Sequence, residues 1–181
     1  LAYWDELRRR HPDMLMAQLR AIARAAAHGH VKVMVPMVTV PDELGQCRSM
    51  LAEAVRELTA AGVPAQSPAL GMMVEVPAAA LAVEAFHADF YSIGSNDLLQ
   101  YLMAASRDEP ELAALAVPAP AFWRVVREVA AHGTAVSREV SLCGDLASDI
   151  RHVPELLRCG LRTLSVAPAS LAAVKAAVRR G

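Results

Sequence analysis

Three short apolar segments of this chain each lead to a side chain that can do chemistry. The first contains Glu75, the second is followed by Asn96 and Asp97, and the third ends at Cys143. In α/β enzymes, buried strands that stop at a reactive side chain place catalytic groups at the carboxyl edge of the sheet. Three such endings in one short chain indicate an enzyme, or a part of one.

The two carboxylates indicate a metal site. Glu75 lies in the otherwise apolar segment 71–76, one residue before its end. An ionised carboxylate in a buried strand is costly unless a partner cancels its charge. Because the ends of parallel strands share one edge, Glu75 and Asp97 are expected to meet there, and two hard oxygen donors suit Mg²⁺. The alternative is an ion pair between Glu75 and a buried cation, such as Lys32 on the preceding strand.

The residues around Asp97 indicate an anion site. Gly94 and Ser95 let the backbone turn sharply into a helix start, where exposed N–H groups bind anions, and Asn96 stands at that start. Arg107, beyond the same helix, can return its guanidinium to a phosphate in a bidentate way. Taken alone, an arginine in a Ser-Arg-Asp-Glu stretch is more often part of a surface ion pair.

The thiol of Cys143 is the third candidate. Gly144 follows it and allows a ligand to approach closely. A thiol can donate a proton as well as attack an electrophile. Cys47, on the apolar stripe of a helix, and Cys159, at a helix end, lack this setting and are predicted to be structural.

Short apolar segments alternate with helical periodicity along the whole chain. Strands are predicted at 31–35, 71–76, 90–93, 140–143 and 163–166. Helices are predicted at 11–28, 77–87, 96–105, 118–133, 152–158 and 170–180. A further helix is predicted to begin after Thr39, with Asp42 at the capping-box position.

Strict βα order requires parallel strands joined by right-handed crossovers. This leaves two α/β architectures, an open doubly wound sheet or part of a (β/α)₈ TIM barrel. A complete barrel takes about 250 residues, and this chain has 181 and begins on a helix. We therefore expect a partial barrel, about strands four to eight.

Composition excludes several other classes. Eighteen basic and nineteen acidic residues give a net charge of −1, which argues against a nucleic-acid groove. The longest apolar segment, 76–83, is too short for a membrane span of about 20 residues. Three cysteines without paired spacing argue against a disulfide framework, so the chain is expected to be cytoplasmic.

Taken in order, the motifs resemble the C-terminal catalytic domain of phosphoenolpyruvate-utilising enzymes. The resemblance covers about residues 11–180. It is carried by Met-Val-Pro-Met at 34–37, Glu-Val-Pro-Ala-Ala-Ala at 75–80, Ser-Ile-Gly-Ser-Asn-Asp-Leu-Leu-Gln-Tyr at 92–101 and Leu-Cys-Gly-Asp at 142–145. The Gln-Tyr pair at 100–101 favours the phosphoenolpyruvate–protein phosphotransferases, or enzyme I type, of the sugar phosphotransferase system. Pyruvate phosphate dikinase and phosphoenolpyruvate synthase share the barrel and are the alternatives.

This resemblance implies a role for each candidate residue. Glu75 and Asp97 would hold Mg²⁺. Asn96, Asp97 and Arg107 would contact phosphoenolpyruvate, and Cys143 would protonate the enolpyruvate carbon as the phosphoryl group leaves for a histidine elsewhere. The resemblance also implies a homodimer formed through this domain.

The chain departs from the family pattern in several ways. We expect residues 1–181 to be a single barrel domain, truncated at its N-terminus, without the strands that carry two further phosphate-binding arginines or the domain that carries the acceptor histidine. Asp145 replaces the usual glutamate after Cys-Gly, and Lys32 stands where arginine is common. Alone, such a domain is expected to turn over negligibly. A non-catalytic dimerisation or interaction fragment is the other interpretation.

Overall fold

The computed structural model describes residues 3–106, 109, 111 and 117–180. Five strands form one sheet: β1 (Lys32–Val35), β2 (Ala69–Val74), β3 (Tyr91–Gly94), β4 (Val140–Cys143) and β5 (Thr163–Leu164). The helices are α1 (Tyr3–Arg10), α2 (Pro12–Ala26), α3 (Pro41–Ala60), α4 (Pro77–Leu81), α5 (Ser95–Met103), α6 (Pro120–Ala135), α7 (Asp145–Ser148), α8 (Val153–Arg158) and α9 (Leu171–Val178). None of the helices in these ranges is long and apolar enough to cross a membrane.

All the strand pairs are parallel, and the strands lie in the order of the chain, β1-β2-β3-β4-β5. Val74 pairs with Ile93, and Gly94 pairs with Cys143. A doubly wound sheet would reverse its order at a switch point, and the five strands show no reversal. The predicted α/β fold with the strand order of a (β/α)₈ barrel is confirmed.

The sheet is curved, as contacts between strands that are not neighbours show. Lys32 Nζ on β1 lies 2.6 Å from Glu139 Oε2, just before β4, and the side chain of Thr163 on β5 also hydrogen-bonds Glu139. In a flat sheet β1 and β4 would be about 14 Å apart. The ring of Phe90 lies beneath the same ammonium, 5.1 Å away. These side chains therefore meet on the concave side, near the amino ends of the strands.

The core fills the space between the sheet and the helices. Leu19 of α2, Leu51 of α3 and Phe122 of α6 are all nearly inaccessible to solvent. Cys47 belongs to the same cluster, and its burial raises the pKa of its thiol to about 11. Cys159 is buried as well. Both thiols are structural, as the sequence predicts.

Two predicted boundaries that lie near prolines were wrong. Strand β2 ends at Val74, two residues before its predicted end, and Val76 is the extended residue before Pro77, which begins α4. Helix α3 begins at Pro41, one residue later than predicted. The side chain that reaches back is therefore that of Glu43: its Oε2 accepts hydrogen bonds from the backbone and side chain of Thr39 and from the backbone of Val40.

Asp89 ties the amino end of β2 to the loop before β3. Its Oδ2 accepts hydrogen bonds from Leu70 N at 2.8 Å and from Arg48 Nη1 at 3.2 Å. Burial raises the pKa of this carboxyl, but the Leu70 N–H and the Arg48 guanidinium outweigh it and lower the pKa below 3.8.

This shift predicts a pH-dependent contribution to stability. A carboxyl whose pKa is depressed on folding stabilises the protein above its unfolded pKa, and the effect is lost as the pH falls through the folded pKa. The parent should therefore exceed Asp89→Asn in thermal unfolding midpoint at neutral pH, with a gap that narrows below about pH 3.8. The exposed Glu53→Gln should show no such trend. A gap between parent and Asp89→Asn that stays constant down to about pH 2.5 would contradict the assignment.

Candidate active site

The carboxyl ends of β2, β3 and β4 bring the predicted site residues to one edge of the sheet. Glu75 is the first residue beyond β2, not a residue within the strand as the sequence predicted. Helix α5 begins directly after β3, so Asn96 and Asp97 lie in its first turn. Cys143 is the last residue of β4, and it pairs with Gly94 at the end of β3.

The carboxylate of Glu75, directly after β2, also contacts the ends of β1 and β3. It is 3% exposed, and its Oε1 accepts a hydrogen bond from Met37 N at 2.7 Å, in the loop after β1. Met37 has a φ of +53°, a left-handed conformation uncommon for a residue with a side chain. Oε2 packs against Gly94, where an added Cβ would lie 2.7 Å from it. The carboxylate thus occupies the space that any other residue at Gly94 would need.

The alternative that named Lys32 as the partner of Glu75 is wrong. Lys32 begins β1 at the opposite end of the sheet, where it forms an ion pair with Glu139. The parallel order of the predicted strands indicates the same, because Lys32 lies near the start of 31–35 and Glu75 near the end of 71–76.

Two hydrogen bonds join Asn96 to Asp145, and we call this pair the Asn96–Asp145 clamp. Asp145 N donates to Asn96 Oδ1 at 2.9 Å, and Asn96 Nδ2 donates to Asp145 Oδ2 at 3.2 Å. The preceding Gly144 has φ +95° and ψ −176°, a combination that essentially only glycine adopts. A Cβ there would collide with Ser95 Oγ and lie 2.6 Å from Asn96 Oδ1.

The thiol of Cys143 is half-buried beside this clamp. Cys143 Sγ donates to the carbonyl of Ile93 on β3, at 3.6 Å. The carbonyl of Cys143 in turn accepts a hydrogen bond from Ser95 Oγ at 2.7 Å, and Ser95 is completely buried. These two hydrogen bonds therefore link the ends of β3 and β4, and the thiol proton points toward β3.

The donor set at this edge fits a lightly coordinated cation. Glu75 and the half-buried Asp97 are carboxylates at neighbouring strand ends. Within the described part of the chain, no three or more His, Cys, Asp or Glu side chains are grouped so as to hold a metal ion. Mg²⁺ is usually held by one or two carboxylates together with water and substrate phosphates. Arg107, the predicted phosphate contact, lies outside the described residues.

Sequence reasoning missed two contributors to the site. Met37 acts through its backbone N–H, for which the side-chain sequence carries no signal. Asp145 did carry one: it lies two residues after the last residue of β4, as Asn96 lies two residues after the last residue of β3.

A curved parallel sheet in chain order, with carboxylates, an amide and a thiol at its carboxyl edge, defines a barrel-type α/β enzyme domain. Residues 6–181 match the family described as PEP-utilising enzyme, PEP-binding domain. The chain belongs to this family.

Curated relatives agree with the resemblance seen in the sequence. The chain is 38% identical over 172 residues to the phosphoenolpyruvate-protein phosphotransferase of Geobacillus stearothermophilus, covering 93% of this chain and 30% of the relative. It is 42% identical over 174 residues to the multiphosphoryl transfer protein of Xanthomonas campestris pv. campestris, covering 94% and 20%. The chain thus spans less than a third of the length of these relatives.

Solved structures support the fold alone. A citrate lyase from Burkholderia xenovorans aligns with a TM-score of 0.66 at 21% identity, over 90% of this chain and 53% of that one. A pyruvate kinase from Cryptosporidium parvum aligns with a TM-score of 0.57 at 10% identity, over 81% and 30%.

Proposed function

We propose that this chain supplies the phosphoenolpyruvate site of an enzyme that transfers a phosphoryl group from phosphoenolpyruvate to a protein histidine. The proposed type is enzyme I of the sugar phosphotransferase system, acting in the cytoplasm in sugar uptake. The observation that carries the proposal is the meeting of Glu75, the Asn96–Asp145 clamp and Cys143 at one sheet edge. The identity to phosphoenolpyruvate-protein phosphotransferases supports it.

The substrate would be held by charge. Catalysis of phosphoryl transfer is mainly positioning and neutralisation of the phosphate oxygens. Glu75 and Asp97 would hold Mg²⁺, which supplies the neutralising charge when bound. Asn96 offers an N–H donor at the start of α5, and Arg107 would add a bidentate guanidinium contact.

The proton would come from Cys143. As the P–O bond of phosphoenolpyruvate breaks and an N–P bond forms on the acceptor histidine, the enolate left behind takes the thiol proton at its methylene carbon and becomes pyruvate. The thiolate then regains a proton from water. In the structure that proton points to the Ile93 carbonyl, so the thiol must rotate toward the ligand to deliver it.

The partners follow from the same proposal. The acceptor histidine would lie on a separate domain or protein, since the family match describes phosphoenolpyruvate binding only. Residues 1–181 would form one barrel domain, and the resemblance gives no match within it for two of the family's phosphate-binding arginines. The loss of each such contact costs about 100-fold or more, so the chain alone would turn over negligibly. Within the described residues β1 and β5 are the sheet edges, and self-association into a homodimer would help to cover them.

The metal assignment predicts a specific loss. Glu75→Gln and Asp97→Asn should each weaken Mg²⁺-dependent phosphoenolpyruvate binding by at least about 10-fold, because each removes a charged metal ligand. Isothermal titration of the chain with phosphoenolpyruvate, with and without Mg²⁺, measures this.

The control is Glu53→Gln, the same chemical change on the exposed face of α3, which should bind as the parent does. If the parent shows no Mg²⁺-dependent binding but sediments as a stable dimer, the chain is a dimerisation fragment instead. If it binds and neither site variant differs from it, the metal lies elsewhere.

A further inference from the structure

The function proposed above gives Asp145 no chemical role of its own, yet Asp145 contacts a substrate-binding candidate directly. We propose that Asp145 is a positioning residue, which holds the amide of Asn96 with its N–H donor facing the anionic ligand. This inference rests on the proposed function for the identity of the ligand. The geometry of the clamp stands on its own.

The two hydrogen bonds of the clamp fix the orientation of the Asn96 amide. A backbone N–H can only donate and an ionised carboxylate can only accept. Asp145 presents one of each, so the amide must turn Oδ1 to the N–H and Nδ2 to the carboxylate. A flipped amide would place donor against donor and acceptor against acceptor. Nδ2 carries a second hydrogen, and the fixed orientation makes Asn96 a donor toward a bound anion.

The negative charge of Asp145 argues against a purely incidental contact with Asn96. A carboxylate beside a phosphate site repels the ligand, and Asp145 is exposed, so it gains nothing from burial. Its main-chain N–H belongs to the first turn of α7, where helix N–H groups need an outside acceptor, and Asn96 Oδ1 provides it. Both the backbone N–H and the side-chain carboxylate of Asp145 thus hold the Asn96 amide.

The clamp also sets the distance between the Asn96 N–H donor and the Cys143 thiol, which is the proposed acid. Asp145 lies two residues after Cys143, and Asn96 lies on the helix that follows β3. Joining Asp145 to Asn96 fixes the strand end that carries the thiol relative to the amide that would hold the ligand. Gly144 makes this possible, because its backbone passes so close to Asn96 Oδ1 that no Cβ fits.

The first test does not need a ligand. In ¹⁵N NMR, the side-chain amide signals of Asn96, assigned by their loss in Asn96→Ala, should show slow hydrogen exchange in the parent. Asp145→Ala should speed that exchange, whereas Asp145→Asn should preserve it, because its Oδ1 still accepts from Nδ2. Asp149→Ala, a nearby carboxylate paired with Arg151, is the control. Unchanged exchange in Asp145→Ala overturns the clamp.

The second test asks whether Asp145 acts through Asn96. In titrations with Mg²⁺ and phosphoenolpyruvate, Asp145→Ala should weaken binding about 10-fold, the effect of one hydrogen bond to a charged group, and Asp145→Asn should restore most of it. In an Asn96→Ala background, Asp145→Ala should add no further loss. Equal losses in both backgrounds overturn the positioning role. A parent that does not bind phosphoenolpyruvate overturns the proposed function, and the NMR result then judges the clamp alone.

Discussion

Cys143→Ala is expected to slow pyruvate release by at least about 100-fold, the usual contribution of a positioned acid, while phosphoenolpyruvate affinity stays unchanged. The proton is needed in the transition state and not for binding, so its loss should appear in kcat and not in the dissociation constant. The measurement supplies a histidine-bearing acceptor domain in trans and follows pyruvate.

Cys159→Ala is the matched control, since Cys159 is a buried structural thiol far along the chain from the site. It should leave the rate per folded molecule unaltered. Equal rates for the parent and Cys143→Ala would remove the acid role from Cys143. A parallel loss of phosphoenolpyruvate affinity would instead make the thiol a binding contact.

Gly94→Ala should both destabilise the fold and abolish Mg²⁺-dependent phosphoenolpyruvate binding. The added Cβ would lie 2.7 Å from Glu75 Oε2, 2.9 Å from Glu75 Cβ and 3.0 Å from Met73 Sδ. Gly94 has a φ of −82°, so the penalty comes from crowding and not from the backbone. Overpacking of this kind costs about 1–3 kcal/mol, and the carboxylate must leave its position to relieve it.

The comparison that isolates this effect is Gly45→Ala. Gly45 lies in the second turn of α3 with nothing within 4 Å of an added Cβ. Alanine there should raise the free energy of unfolding by about 0.5–1 kcal/mol, because glycine is the poorer helix former. Urea unfolding and Mg²⁺–phosphoenolpyruvate titration of both variants measure the two effects. Full Mg²⁺-dependent binding by Gly94→Ala would show that the position of Glu75 is not critical.

Much of the edge that carries the site was predictable from sequence, because strand ends in parallel sheets share a direction. Alternating apolar and helical segments located all five strands, and the reactive residues at their ends placed Glu75, Asn96, Asp97 and Cys143 together. The exact ends of strands and starts of helices were predicted less well. The end of β2 lies at Val74, two residues earlier than predicted, and helix α3 begins at Pro41, one residue later than predicted.

The contacts that shape the site could not be predicted from the sequence, for a different reason. The hydrogen bond from Met37 to Glu75 uses backbone geometry, and residues 38 positions apart give no local pattern. The clamp joins residues 49 positions apart, which only the pairing of β3 with β4 brings together.

Glu139 links the two outer strands of the curved sheet, because its carboxylate accepts hydrogen bonds from Lys32 of β1 and from Thr163 of β5. The contacts of Glu139 are exposed and lie near the amino ends of the strands. Glu75, Asn96 and Cys143 lie at the carboxyl ends. The side chains that span the arc and the groups proposed to carry out the chemistry thus occupy opposite edges of the same sheet.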